Sequence, residues 1–417
     1  MKYYFVGIKG SGMSALANIL LDLGYEIGGV DYDKKHYTDS INERVKIDNF
    51  TDVFLTEDNF YIIGNAFKLH ELTLKIISKG YKYDYYPSFI ENFFKMEKIG
   101  VTGSHGKTTT TSFISQLLGN KTNALIGDGT GLGYKDADML VLEACEYQNT
   151  FLNYTFDYLV ILNIDYDHPD FFKSNNEYLF AFQKASLKAK MLIINNDCKN
   201  CKKIIHSNKI TFGMTRDSDV YFKIIEDKII VDFFGEILTF DYPFYSPILA
   251  YDLVASLIIK YVVTNEILDT ITKVKDLKFP KRRLEEVQIN DGLILVCDYA
   301  HHPTEISVVI RMLKSKYLGF KIAVVYQGHT YSRTQTFLKE YTLSLKEADE
   351  VFIMPTFSSV RENDVDNLIL LKQDTGFKKY ERAKIEELIN KKGYIVAFLG
   401  AGDIDSEFIF FLKKVNY

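Results

Sequence analysis

Lys107 stands ahead of four consecutive threonines, 108–111, in the stretch GVTGSHGKTTTTSF at residues 100–113. A lysine followed by hydroxyls after a glycine turn suits phosphate: the ammonium reaches terminal phosphates and the Thr108 hydroxyl can ligate Mg²⁺. The spacing departs from G-x-x-x-x-G-K-[ST], because five residues before Gly106 lies Val101, with Gly100 and Gly103 on either side. The stretch is therefore either a variant phosphate loop or a glycine-rich turn before a helix. A plain turn does not account for a lysine and hydroxyls at a helix start, where the helix dipole favours an anion. The expectation is a phosphate loop in which Gly103 and Gly106 turn backbone amides inward as an anion nest.

Two acidic positions lie where they could serve it. Glu143 ends the apolar run MLVLEA, and NIDYDH places Asn163, Asp165, Asp167 and His168 just beyond the run YLVILN. Ligands of open α/β sheets sit beyond the carboxyl ends of strands, and carboxylate, hydroxyl and phosphate oxygens together make a Mg²⁺ shell. His168 taken alone reads equally as a structural residue, imidazole being an unusual magnesium ligand. The N-terminal GIKGSGMSALA repeats the theme: Gly7, Gly10 and Gly12 follow a strand pattern, and Asp31 ends the next apolar segment. Its order, G-x-x-G-x-G, differs from the dinucleotide fingerprint G-x-G-x-x-G, so it is either close helix–strand packing or a nucleotide or diphosphate site. Cys198 and Cys201, in CKNC, have the spacing of half a zinc site, but Cys145 and Cys297 stand alone, so reduced thiols are expected.

The elements that must position these groups are legible as apolar runs. YYFVGI (3–8), FYIIGN (60–65), KIGVTG (98–103), MLVLEA (139–144), YLVILNI (158–164), MLIINN (191–196), LILVCDY (293–299), KIAVVYQ (321–327), EVFIMP (350–355) and YIVAFLG (394–400) alternate with helix-length segments. Continuous rather than alternating apolar runs suit parallel strands covered on both faces, so the class is α/β with doubly wound, mostly parallel sheets. Residues 223–244 turn to short alternating strands, an antiparallel addition. Seams near 86–98 and 276–283 divide the 417 residues into three domains, 1–97, 98–278 and 279–417. The net charge of −5 argues against general nucleic-acid binding. The first ten residues lack the long apolar stretch of a secretion signal, and no apolar segment approaches the ~20 residues of a membrane span, so a cytoplasmic protein is expected.

Together these pieces resemble the Mur ligase family, and within it the alanine-adding branch. The resemblance runs along the whole chain: FVGIKGSGMSALA (5–17), GNAF (64–67), GVTGSHGKTTTT (100–111), GDGTG (127–131), EACEY (143–147), TFDYLVILNIDYDHPDFF (155–172), FPKRR (279–283), DYAHHPTEI (298–306), QGHTYSRT (327–334) and GAGDI (400–404). It implies an ATP-dependent amide ligase with a Rossmann-like UDP-sugar domain, a central P-loop-type ATP domain and a Rossmann-like C-terminal ligase domain. Its implied substrates are UDP-N-acetylmuramate and L-alanine, joined through an acyl phosphate by a monomer or homodimer. By matching position, the backbone of Gly103, Ser104, His105, Gly106, Lys107, Thr108 and Thr109 would cradle the ATP phosphates, while Thr108 and Glu143 hold Mg²⁺. His168 would serve a second metal, Arg283 would reach the phosphates, and Asp298 would approach the nucleotide. His329 and Arg333 would face the amino acid and the developing negative charge, with His301 beside the substrate; Arg333 read alone could equally be a surface arginine. Gly10, Ser11, Gly12 and Met13 would bind the UDP diphosphate, with Asp31 and Asn65 near it.

The chain departs from the family at the base pocket. Where the family carries His-Asn-x-x-Asn, SPILAYDLVASLIIK puts Tyr251, Asp252 and Ala255. An amide donates and accepts against adenine's edge, whereas a carboxylate only accepts, so Asp252 would meet the exocyclic amine or the ribose hydroxyls but oppose a ring-nitrogen lone pair. Gly328 replaces a proline. The rival readings are a related ligase with a different amino donor, and a non-catalytic paralogue that binds nucleotide or UDP-sugar. The intact charges Lys107, Glu143, His168 and Arg333 count against the second.

Overall fold

The computed structural model describes residues 2–32, 41, 45–266, 268–357 and 376–415. The chain forms two compact units: Met1–Tyr166 with Asn175–Tyr242 and Leu249–Lys278, and Asp167–Ser174 with Pro243–Ile248 and Phe279–Tyr417.

The first unit holds two sheets. Strands β1 (Lys2–Val6), β2 (Glu26–Val30), β3 (Lys46–Asp48), β4 (Asn59–Ile63) and β5 (Tyr83–Tyr85) pair in parallel in the order β3-β2-β1-β4-β5. That order reverses direction between β1 and β4, the topology of a Rossmann sheet, whose ligands sit at the switch point. Helices α1 (Ser11–Asp22), α2 (Glu71–Ser78) and α3 (Tyr86–Phe93) accompany it. The second sheet has ten strands: β6 (Glu97–Thr102), β7 (Thr122–Leu125), β8 (Gly131–Leu132), β9 (Met139–Glu143), β10 (Phe156–Ile161), β11 (Ala189–Asn195), β12 (Lys209–Gly213), β13 (Val220–Ile225), β14 (Lys228–Phe233) and β15 (Glu236–Asp241). Its order is β15-β14-β13-β12-β11-β10-β6-β9-β7-β8. The centre is parallel, while β13, β14 and β15 form the antiparallel meander expected around 223–244. Helices α4 (Lys107–Leu118), α5 (Asn175–Ser186) and α6 (Pro247–Thr264) belong to this stretch of chain.

Helix α6 has the length and mean hydropathy, 1.6, to cross a membrane by composition alone, but Asp252 and Lys260 interrupt its apolar run. It packs as a core helix: Leu253, Val254, Leu257 and Ile258 are buried, and so are its polar residues Asp252 and Lys260. The two sheets of this unit meet where α1 lies on the β7–β8 hairpin. A Cβ at Gly131 would stand 1.8 Å from the Ala15 carbonyl oxygen, so only glycine admits this approach of backbones. Gly131→Ala must push the helix off the hairpin, and is expected to destabilise the protein by about 1–3 kcal/mol in denaturant unfolding. A change within about 0.5 kcal/mol would show that the contact is not rigid.

In the second unit β16 (Glu285–Asn290), β17 (Leu293–Asp298), β18 (Lys321–Tyr326), β19 (Glu350–Ile353), β20 (Lys378–Lys379) and β21 (Tyr394–Leu399) follow the order β16-β17-β21-β18-β19-β20, parallel except for β16. A short helix α7 (Leu268–Lys273) precedes this module in the chain, and α8 (Pro303–Lys316), α9 (Tyr331–Thr336), α10 (Leu338–Leu345), α11 (Arg382–Ile389) and α12 (Asp405–Lys414) follow within it. Both faces are buried: Ile294 and Val296 point into one apolar cluster, and Leu293, Leu295 and Cys297 into another. That is the origin of the continuous apolar run in the sequence.

Candidate functional site

The phosphate-loop candidate joins β6 to α4. Gly106 caps the helix at φ +85°, the left-handed region open to glycine, so the chain turns directly into α4. The front of the loop is fastened to the segment after β10. Ser104 N–H donates to the Asn163 carbonyl at 3.2 Å, and His105 N–H donates to Asn163 Oδ1 at 2.8 Å. The Ser104 hydroxyl donates to the Asp165 carbonyl at 2.6 Å and accepts the Asp165 N–H at 2.8 Å. Two amides assigned to a phosphate cradle are thus occupied within the protein. Those of residues 106–109, the first amides of α4, have no intrahelical acceptor and point out of its N-terminus.

Lys107 Nζ donates to the Gly103 carbonyl at 2.6 Å and lies 3.1 Å from Glu146 Oε2. Burial opposes its charge, but Glu146 and its neighbours outweigh burial and hold the ammonium pKa above its ordinary value. Lys107 is therefore a fixed cation at the mouth of the amide nest. The Thr108 hydroxyl donates to Glu143 Oε2 at 2.8 Å. Gly127 closes this pair from one side, where a Cβ would fall 1.9 Å from Glu143 Oε2 and 2.9 Å from Thr108 Oγ1. Among the described residues no group of three or more His, Cys, Asp or Glu side chains gathers to hold a metal. A hydroxyl and one carboxylate, both hard oxygen donors, nevertheless fit Mg²⁺, which characteristically keeps waters and takes remaining oxygens from phosphates.

Asp252, expected to meet the base edge or the ribose hydroxyls, packs against the loop. Its carboxylate is buried, and Oδ1 lies 2.3 Å from where a Cβ at Gly106 would stand. A buried carboxyl group therefore sits at the turn that presents the α4 amides. Neighbouring Tyr251 donates its hydroxyl to Asp197 Oδ2 at 2.7 Å, and Asp197 also accepts the Met214 and Thr215 amides. Tyr251 thus ties α6 to the turn after β12.

In the N-terminal sheet, Gly10 caps α1 and Asp31 closes the loop ahead of it. Asp31 Oδ2 accepts the Lys9 N–H at 2.7 Å and Oδ1 accepts the Tyr32 N–H at 2.8 Å. Gly12 faces the Tyr86 hydroxyl, 2.5 Å from its would-be Cβ, while Ser11 and Met13 lie in the first turn of α1. Asn65 donates to Thr150 Oγ1 at 3.4 Å, and its Oδ1 is buried with no hydrogen-bond partner among the described residues, an acceptor suited to a ligand donor.

The second unit gathers the other candidates. Arg333 Nε and Nη2 donate to the two oxygens of Asp167 at 3.0 and 3.2 Å, and Nη2 lies 3.3 Å from His168 Nδ1. Arg333 is 5% exposed, so it is not a surface arginine. Burial alone would raise the Asp167 carboxyl, but the Arg333 guanidinium, then His168, His302 and His301, hold it well below the usual carboxylate range. His168 sits at φ +55°, a left-handed conformation uncommon outside glycine, and donates its N–H to Asp167 Oδ1 at 2.7 Å. Thr108 and Glu143 belong to the first unit and His168 to the second.

DYAHHPTEI proves to be partly a folding motif. His302 and Glu305 form a capping box on α8 with Pro303 at its first turn, so these residues would be required without any ligand. His301 packs beside Glu305 Oε2, its Nδ1 3.3 Å away, and burial pushes its pKa down to about 4, leaving a neutral imidazole near pH 7. Its ring centroid lies 6.2 Å from that of His329, which stacks on Phe357. Asp298 accepts the Leu284 and Ala300 amides at 2.8 and 2.7 Å, and burial pushes its pKa up to about 6 against the pull of Arg283. Arg283 lies over the Tyr299 ring at 4.9 Å and 4.0 Å from Glu305 Oε1. Residues Arg282 and Leu284 on either side of it have positive φ, a strained pair that fixes the direction of Arg283. Arg282 itself donates to the carbonyls of Gly400 and Gly402.

Sequence reasoning did not single out Glu146, Asp197 or Arg282. For Glu146 a signal existed, a second carboxylate three residues after Glu143 in EACEY.

A parallel module with a switch point, a strand–loop–helix anion nest carrying a lysine, and a third α/β module together suit a protein that handles a nucleotide or another phosphorylated ligand. Residues 2–69 match the Mur ligase family catalytic domain, 101–259 the Mur ligase middle domain and 282–402 the Mur ligase glutamate ligase domain. The chain belongs to the Mur ligase family, whose members are ATP-dependent ligases of peptidoglycan precursors. It is similar in fold to UDP-N-acetylmuramate-alanine ligase MurC from Thermotoga maritima, with TM-score 0.81 and 19% identity over 99% of both chains. It is also similar to a murein peptide ligase from Psychrobacter arcticus, with TM-score 0.72 and 17% identity over 100% of this chain and 99% of that one. A third similar structure is MurF ligase from Thermotoga maritima in complex with ADP, with TM-score 0.64 and 20% identity over 94% and 95% of the chains.

Proposed function

We propose that the protein joins L-alanine to UDP-N-acetylmuramate in the cytoplasm, at the expense of ATP, through an acyl phosphate on the lactyl carboxylate. The observation that carries this reading is the constellation of Lys107, the α4 amides and the Thr108–Glu143 pair. When bound, ATP with Mg²⁺ supplies the phosphoryl group that activates the carboxylate. Catalysis of such a transfer is mostly positioning and charge neutralisation. Lys107 supplies a fixed positive charge, the amides of residues 106–109 supply oriented dipoles, and Thr108 with Glu143 supplies oxygen ligands for the metal. The 10–13 loop with Asp31 and Asn65 takes the UDP-sugar, Asn65 Oδ1 accepting a ligand hydrogen bond. Arg283, His168, His301, His329 and Arg333 serve the carboxylate and the incoming amine, His301 as a neutral imidazole. L-alanine as donor rests on the likeness of DYAHHPTEI and its neighbours to the alanine-adding branch.

The donor is tested by mass spectrometry of reactions with UDP-N-acetylmuramate, ATP and Mg²⁺, each offered L-alanine, glycine, L-serine or a tripeptide. A condensation product with L-alanine alone, or far ahead of the others, supports the assignment. Product only with the tripeptide would make the chain a peptide-adding ligase.

The carboxylate at Gly106 gives a further expectation. Asp252→Asn replaces the buried carboxyl beside Gly106 with an amide that can donate. ATP should bind tighter by about 1 kcal/mol, roughly fivefold in Kd, by calorimetric titration. Weaker ATP binding, or a change of preferred nucleotide, would assign the aspartate a positive role in recognition.

A further inference from the structure

We propose that Cys198 and Cys201 form a thiol-modification site, in which Cys198 attacks a low-molecular-weight disulfide and Cys201 resolves the adduct into an intramolecular disulfide. The CKNC motif takes no part in the phosphate loop, and no third metal ligand gathers around it among the described residues. Its geometry is that of an attacking and a resolving thiol. Cys198 Sγ accepts the Ile164 N–H at 3.4 Å and the Cys201 N–H at 3.5 Å, and Cys198 as a residue is only half-buried. Cys201 is 2% exposed and opens the short 3₁₀ turn Cys201–Lys203.

The two thiols are driven apart in acidity. The adjacent Cys201 thiol, with the backbone donors, outweighs burial and pulls the Cys198 thiol down to about 6. Cys201 moves the other way, kept protonated by burial, then by Cys198 and by facing Asp165. Burial likewise pushes Cys145 up to about 12. Since the thiolate is the nucleophile, Cys198 is the one cysteine of the four prepared to react.

In the first step the Cys198 thiolate attacks one sulfur of the small disulfide; a protein–S–S–R bond forms, the original S–S bond breaks, and the departing thiolate takes a proton. In the second, Cys201 loses its proton and attacks the Cys198 sulfur, releasing the other half as a thiol. Two protein thiols are oxidised and one small disulfide is reduced to two thiols. The step turns the acceptor beneath the Ile164 N–H from a thiolate into a neutral disulfide sulfur, a weaker acceptor. Asn200, between the cysteines, also donates to the Ile164 carbonyl at 2.9 Å, and Asp165 next in the chain holds Ser104. Oxidation therefore reaches the fastening of the phosphate loop. The proposal does not depend on the ligase reading, because its readout is covalent.

The test treats the full-length reduced protein with oxidised glutathione, traps remaining thiols with N-ethylmaleimide and maps the peptides by mass spectrometry. Wild type should lose two hydrogens within the Cys198–Cys201 peptide, and Cys201→Ser should stop with one glutathionyl group on Cys198. Without oxidant, Cys198 should alkylate at least ~10-fold faster than Cys145. Retention of all alkylatable thiols in the treated wild type, or Cys145 reacting first, would overturn the proposal.

Discussion

Lys107→Ala lowers phosphate release by at least about 10²–10³-fold while leaving UDP-sugar affinity within about a factor of two. The first number follows from removing a preorganised cation from the mouth of the α4 amide nest, a loss of about 2.7–4 kcal/mol of stabilisation for developing charge. The second follows from the separation of sites, since the 10–13 loop, Asp31 and Asn65 are built by the N-terminal sheet without Lys107. The substitution also strips the buried Glu146 carboxylate of its cation, a structural cost that must be distinguished from the chemical one. Combining Lys107→Ala with Glu146→Gln restores stability but not turnover. Titration calorimetry with UDP-N-acetylmuramate decides the rest: if sugar binding is lost in a folded variant, the division of labour between modules is wrong.

Asp167→Ala destabilises the protein by about 3–5 kcal/mol, the usual consequence of leaving a buried arginine without its carboxylate. Arg333 spends two donors on Asp167, and neither residue has meaningful exposure to water. The pH dependence carries the signature. The folded Asp167 carboxyl titrates below its unfolded value, so its stabilisation is complete above about pH 4 and is lost as pH falls through the folded value. Denaturant unfolding should therefore show a deficit in Asp167→Asn that is constant from about pH 5 to 7 and shrinks in stronger acid. A deficit independent of pH down to about pH 2 would mean that the carboxylate's charge is not what holds Arg333.

The strands were legible because each parallel strand is buried on both faces and so reads as an uninterrupted apolar run. Their ends were not, because apolarity continues into the loops: YLVILNI runs to Ile164, yet β10 stops at Ile161 and the remainder turns toward the phosphate loop. β2 shows only as the apolar segment that Asp31 ends and is absent from the strand runs, because Gly28 and Gly29, both packed against neighbouring side chains, interrupt it. Lys107 and Thr108 announce themselves through local spacing, since a phosphate nest is a local structure. Their partner Glu146 leaves only the weak signal of a second carboxylate in EACEY, because it is the packing of a later strand end against α4 that brings it to the ammonium. Nor does DYAHHPTEI disclose that His302 caps a helix and that Asp298 fastens two amides. The membership of Asp167–Ser174 in the C-terminal unit is likewise invisible in a sequence where these residues sit amid the central domain.

The claim that this family member is an alanine-adding ligase is tested most directly by phosphate release from the purified protein. The assay supplies ATP, Mg²⁺ and UDP-N-acetylmuramate, with and without L-alanine. The predicted result is sustained release only when both the UDP-sugar and L-alanine are present. Release indifferent to L-alanine, or silence with ATP and every other nucleoside triphosphate, would contradict it.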